Sequence, residues 1–471
     1  MKGGNIMSSE LAPPKVTDML CENLVNTKYE NLSEWNIECF KDRLLDITGC
    51  IFGGAIVEDN QVLVDLAKRW GGTEEAPVFL KGFRAPVNNA VLINCVVARS
   101  NDYGNMFMHV LGDRIASHLG ETLIPLGLTL ADMYGTSGKD FITNNVAAED
   151  LTGRILYTFV NRWPFDMLLV STAAAAMASR YYGLNAERTK AALSFAATNS
   201  TDPANSYYDY SQEFKYHNGE SARCGIMSAE LAKGGWRGLV DPYFGHWGLA
   251  VRDTGGELPP NYEKAIQDLG KIYYTEESFK IFPGGIPNTP ATVAAQKVRA
   301  RFIDRGYKVS DIKKVEVERS ENTGYNYYAA PFAHVDQLNA LFCYQFQVCC
   351  ALYYGTVKVE YVQTKAIQNN PELVEMVQNS TMGVYKFAEG EEPVRGMRVR
   401  VTMKDGTVFE HTEPATAMHK YPTREFIISK FKDQFNAFGK LPASTADKII
   451  ELALNIEKVS DMREYTSLLQ I

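Results

Sequence analysis

Residues 34–53 read EWNIECFKDRLLDITGCIFG. Ile37, Phe40, Leu44, Leu45 and Ile47 fall on one helical stripe, so the segment predicts an amphipathic helix. Its neighbours repeat the theme. Residues 86–100 are small and apolar, and Leu119–Tyr134 is an apolar run stopped by Gly135. Gly138–Tyr157 opens another helix with Asp140 near its positive end, and residues 166–183 form an Ala-rich helix stopped by Gly183. Asn185 is suited to cap the segment AERTKAALSFAA that follows. Almost no period-two alternation interrupts these runs, which predicts an all-helical domain over about the first 270 residues.

Beyond Gly270 the pattern changes. Ile312–Arg319 (IKKVEVER) alternates as a strand does. Met397–Met403 (MRVRVTM), then Asp405-Gly406 and TVFEH, predict a hairpin with a type I′ turn. Helical stretches are expected near 290–305 and 335–354, and again at 423–432 and 444–454. The expected fold is therefore mainly α. A large, discontinuous all-helical domain takes residues 1–271 and 416–471, and a smaller α+β lid domain takes 272–415.

Composition narrows the function classes. The 471 residues carry 48 basic and 56 acidic side chains, a formal net charge of −8, which argues against a general nucleic-acid binder. With 45% hydrophobic residues the chain has ample apolar area to fold. The first residues, MKGGNIMSSELAPPKV, lack the apolar core of a secretory signal. The longest apolar stretch, Phe165–Ala178, is broken by Asp166, Ser171 and Thr172 and suits a buried helix better than a membrane span. The eight cysteines show no CxxC pair and no zinc or iron–sulfur spacing. Buried thiols in a reducing cytoplasm, with no metal, are the expectation. No P-loop, dinucleotide fingerprint, GxSxG or HExxH is present.

Several segments, taken in order, point further. CVVARSNDYGNMFMHVLGDRIASHLGETLIPLGLTLADM (95–133) has an acidic turn, then a histidine before a Pro-containing apolar helix. GTSGKDFITNNVAAEDLTGRI, KYHNGESARCGIMSAELAKGGWRG and FKIFPGGIPNTPATVAA follow, and later LFCYQFQVCCALYYGTV and KYPTREFIISKF. This ordered set resembles the MmgE/PrpD family, which includes 2-methylcitrate dehydratases, cis-aconitate decarboxylases and iminodisuccinate epimerases. The resemblance implies a helical domain with an α+β lid, a homodimer, metal- and cofactor-free chemistry and a small anionic substrate bound between domain and lid.

Such reactions move a proton at a carbon beside a carboxylate, so the site needs cations and a titratable group. By the resemblance, His118 is the catalytic histidine, and its ordinary pKa of about 6.5 suits proton transfer near neutrality. Asp102 matches the acid of the turn, orienting His118 or acting as a base. Lys280 matches a lysine that opens the second domain, and Lys215, His217 and Tyr103 are expected on the substrate. Read without the family, Asp102 is equally a turn residue bonding its own backbone, and each Lys a surface charge. Arg154 is read as a structural partner of Glu149 or Asp150, and Tyr207, Tyr208 and Tyr210 as loop packing.

The chain also departs from the family. Gly104 and Asn105 stand where the turn carries further acids. Tyr157 and Pro164 stand where histidines are usual, and Phe346 replaces a tyrosine. Extra residues, MFMHVLGDRIA, separate Tyr103 from His118. The expected activity is a cofactor-free lyase on a polycarboxylate. An isomerase or epimerase on the same scaffold, or a non-catalytic binding protein, is the alternative.

Overall fold

The computed structural model describes residues 16–160, 169–200, 206–322, 332, 334–387, 394–419 and 422–471. Its longer helices are α1 (Val16–Asn26), α2 (Glu34–Ala55), α3 (Gln61–Trp70), α4 (Val87–Arg99), α5 (Gly120–Tyr134), α6 (Gly138–Tyr157), α7 (Val170–Tyr181), α8 (Ala186–Ala197), α9 (Glu213–Lys233), α10 (Thr289–Asp304), α11 (Tyr344–Tyr354), α12 (Arg424–Phe438) and α13 (Ala443–Leu454). The chain is mainly α with a smaller sheet-containing part. The stop and cap signals act as their chemistry dictates: α5 closes on a left-handed Gly135, and the Asn185 side chain accepts from the Arg188 N–H at the start of α8. Pro164 and the start of the Ala-rich segment lie outside the described residues, as do the side chains of Tyr207 and Tyr208.

Buried apolar side chains form two large groups. The first joins the helices of the N-terminal half to α12 and α13. Phe52 of α2 meets Phe431, Phe435 and Phe438 of α12 edge-on, at centroid separations of 6.0, 4.8 and 5.6 Å. The second group gathers α10, α11 and a four-stranded sheet. That sheet comprises β6 (Ile312–Ser320), β7 (Thr381–Tyr385), β8 (Gly396–Met403) and β9 (Val408–Pro414), in the order β7-β6-β8-β9. β8 alternates as read: Met397, Val399, Val401 and Met403 are buried and the residues between them half-buried.

The β8–β9 hairpin forms, but not through a type I′ turn. Only Gly406 is left-handed (φ 92°), and Asp405 is not. The loop is one of three residues, Lys404–Gly406, closed by the Met403 N–H on the Thr407 carbonyl (2.8 Å), so it needs positive φ at a single position. The stretch 335–354 is likewise split. Gln337–Leu341 is a short helix, and extended backbone at Cys343 separates it from α11.

Two small sheets interrupt the helical first half, where helices alone were expected. β1 (Ala76–Val78) pairs with β2 (Phe83–Ala85). β3 (Asn105–Val110) pairs with both β4 (Asp113–Ala116) and β5 (Glu277–Phe279), all antiparallel. The inserted MFMHVLGDRIA is thus a hairpin, turning at Leu111-Gly112 with φ of 52° and 83°. Leucine is a rare occupant of such a turn, which hid the hairpin in the sequence. No helix among the described residues is long and apolar enough to cross a membrane. All eight cysteines are buried thiols.

Candidate active site

The β4-β3-β5 sheet sets the site. Asp102 lies just before β3, His118 just after β4 and Lys280 directly after β5. Because β3 pairs antiparallel with both neighbours (Phe107 opposite Ala116, Asn105 opposite Phe279), all three residues arrive at the same end. Asp102 and His118 are both left-handed, with φ of 45° and 48°. Such conformations cost about 1–3 kcal/mol each and persist only where the surroundings impose them.

Here the surroundings do. The Gly284 N–H donates to the carbonyls of Asn101 (3.0 Å) and Asp102 (3.3 Å). Gln337 and Gln363 donate to Asn101 Oδ1 at 2.8 and 3.1 Å. Asn218 of α9 donates to the His118 carbonyl at 3.3 Å and to Thr122 Oγ1 at 3.0 Å. Lys430 of α12 donates to the carbonyls of Tyr103 (2.6 Å) and Lys280 (2.9 Å), its charge balanced by Asp46 at 2.7 Å.

Asp102, His118 and Lys280 are each at most 3% exposed. Asp102 Oδ1 is shared by Arg99 Nη1 and Lys280 Nζ. Arg99 Nη1 also donates to Glu121 Oε1 (3.2 Å), in the first turn of α5. Arg99 and Glu121 escaped the sequence reading. The available signal was a lone carboxylate in the apolar run LGETLIPLG, three residues beyond His118. Gly104 makes room for it: a Cβ there would stand 2.6 Å from Glu121 Cδ and Oε1.

The remaining expected residues have other partners. Lys215 pairs with Asp59 (2.6 Å) and donates to Asn60 Oδ1 (3.2 Å), both in the turn just before α3. The Tyr103 hydroxyl donates to the Ile281 carbonyl at 3.2 Å, and its ring lies 3.9 Å from Lys430 Nζ. His217 is half-buried on α9, where its neighbour Asn218 makes the contact to the His118 turn. Arg154 holds Asp150 (2.8 Å) and the carbonyls of Ala265, Gln267 and Ile272, the structural reading. Phe346 stacks on Phe332 (5.3 Å) and Tyr157 is buried. A cavity of about 270 Å³ lies against Tyr103, Ile281 and Lys430.

Burial dominates the protonation equilibria. Burial, with Arg99 and Lys280 alongside, pushes the His118 imidazolium well below the usual range, so the ring is neutral at pH 7. Burial lifts Glu121 to about 7, with Asp102 adding to the rise and Arg99 and Lys280 opposing it. Burial lowers Lys280 to about 8, with Arg99 adding to the fall and Asp102 opposing it. When Glu121 holds its proton, two cations face one carboxylate, and the cluster carries one net positive charge. Donor atoms of Asp102, His118 and Glu121 lie within 4.8 Å of one another. Arg99 and Lys280 already hold Asp102, and their charges would oppose a further cation at close range.

The sign of the Glu121 shift has a measurable consequence. A carboxyl raised above 4.5 on folding stabilises most below that pH, and the contribution is lost as pH climbs through about 7. Glu121→Gln is therefore expected to flatten this decline and to be more stable than wild type at pH 8 by about 3 kcal/mol. Urea unfolding at pH 5 and pH 8 checks it, and equal slopes for the two proteins would refute the assignment.

Fold and site together bring acid–base and cationic side chains into one buried cluster in a mainly helical chain with a smaller sheet-containing part. The MmgE/PrpD N-terminal domain model matches residues 18–259 and the MmgE/PrpD C-terminal domain model residues 282–458. The chain belongs to the MmgE/PrpD family, known for dehydratase, decarboxylase and epimerase-type activities. No curated protein matches it.

Proposed function

We propose that the chain is a lyase that removes water or CO2 from a small polycarboxylate resembling 2-methylcitrate, citrate or cis-aconitate. One observation carries this reading: Arg99, Asp102, His118, Glu121 and Lys280 converge in one buried cluster, two cations against two carboxyl groups beside an imidazole. Lys280 binds a substrate carboxylate, and in a water-poor site that attraction is strong. Neutral His118 is the base at the carbon beside it, with Asp102 fixing the cations around the reacting centre. The reading includes a cytoplasmic homodimer that uses no cofactor, divided into a helical body (1–271 and 416–471) and a lid (272–415). Exposed Trp236, Leu239, Val240 and Trp247 supply apolar surface for a dimer contact.

Incubation with 2-methylcitrate, citrate and cis-aconitate, followed by NMR, is expected to show an alkene or a decarboxylated product. His118→Ala is expected to lose about 10²–10⁴-fold in turnover. Full turnover by that variant would sink the role of His118. Deuterium entering the substrate with no new product would move the chain to the isomerase class.

A further inference from the structure

Glu121 is fully buried, yet its Oε2 has no hydrogen-bond partner among the described residues. An unsatisfied carboxylate oxygen is costly in such a place, and it marks a position awaiting a ligand or a proton. The carboxyl faces Arg99 of α4, Asp102 and Gly104 of the turn, His118, and Lys280 after β5. His118 Nδ1 is also without a hydrogen-bond partner, and the two side chains approach within 4.8 Å. One small molecule can therefore touch both. The bare Gly104 leaves the Glu121 carboxyl the space that a side chain on the turn would take.

We propose that Glu121 is the general acid of this site, protonating the departing hydroxyl of a β-hydroxy polycarboxylate while His118 takes the proton from carbon. This rests on the lyase reading and selects water loss within it. The C–H electron pair becomes the second bond of the new alkene, and the C–O bond breaks. The oxygen leaves with that bond's pair and the Glu121 proton, as water. His118 is left as imidazolium and Glu121 as carboxylate, and transfer of one proton between them restores both. Expulsion of CO2 requires no proton on the leaving group, so a second proton carrier serves dehydration in particular. The environments agree with the division, since they keep His118 free of its proton while Glu121, lifted to about 7, still carries one on a large share of molecules near neutrality.

The test compares leaving groups. Citrate and 2-methylcitrate are paired with analogues bearing fluorine in place of the departing hydroxyl, because fluoride leaves without a proton. Glu121→Gln is expected to lose about 10²–10⁴-fold in water elimination but to stay within about threefold of wild type in fluoride elimination. His118→Ala is expected to lose both. Wild-type rates of water elimination in Glu121→Gln would overturn the proposal, and so would equal losses with both leaving groups, which would make Glu121 a structural residue. Wild type inert toward every compound would overturn the lyase reading, and the proposal with it.

Discussion

Lys280→Met is expected to cut kcat/KM on the active polycarboxylate by about 10³-fold, equivalent to about 4 kcal/mol of transition-state binding. The ammonium is buried with Asp102 at the end of β5, and the nearby Arg99 is already held by Asp102 and Glu121. Methionine keeps the length of the stem, and Arg99 still holds Asp102, so the fold survives. The pH dependence is a separate check. Lys280 is lowered to about 8, so its charge, and substrate affinity with it, falls as pH rises through that value. Lys280→Arg keeps a charge at all accessible pH and is expected to remove the alkaline rise in KM. The stability term runs the other way. The folded chain holds this proton less tightly than the unfolded one, so the cost of burying the ammonium is relieved between about pH 8 and 10.5. Undiminished kcat/KM in Lys280→Met would remove Lys280 from substrate binding.

Arg43→Met is expected to destabilise the protein by about 3–5 kcal/mol, as breaking a buried ion cluster does. Arg43 is 1% exposed and faces two carboxyl groups, Glu149 and Glu277 (the latter at 3.2 Å). Burial raises both carboxyls, and the charge on Glu277 pushes Glu149 further up. Glu277 also accepts from Asn105 Nδ2 (2.5 Å) and Ser117 Oγ (3.2 Å). The cluster thereby ties the start of β3 and the residue before His118 to β5. Glu149→Gln keeps an acceptor for Arg43 without a charge and is expected to cost less than about 1 kcal/mol. Urea unfolding of the two variants decides the matter, and equal losses would mean that Glu149 is ionised.

Much of the helical body was legible, because helix signals are local. The stripe in residues 34–53, the stop at Gly135 and the cap at Asn185 each act within a few residues of themselves. The β8 strand was legible for the same reason. The β3–β4 hairpin was not. Its turn begins with a leucine, and its third strand, β5, comes from residues 277–279, far along the chain. Of the site, Asp102, His118 and Lys280 were found through the resemblance, and only the fold brings them together. The partners of Lys215 and Tyr103, Asp59 and the Ile281 carbonyl, were not legible because they are distant in sequence. Arg99 and Glu121 were missed because a charged residue in an apolar run looks like noise until its counter-charge is seen across the fold.

The placement of Asp102 and His118 at the base of a hairpin bears on how this chain can change over evolutionary time. Adding one residue to each strand pushes the Leu111-Gly112 tip outward and leaves both base residues where they are. A Cβ on Gly112 would meet nothing within 4 Å, so the tip has room to grow. A single unmatched residue would instead swap the faces of one strand and turn His118 away from Asp102. Length drift between these two positions should therefore be tolerated in even steps and purged in odd ones.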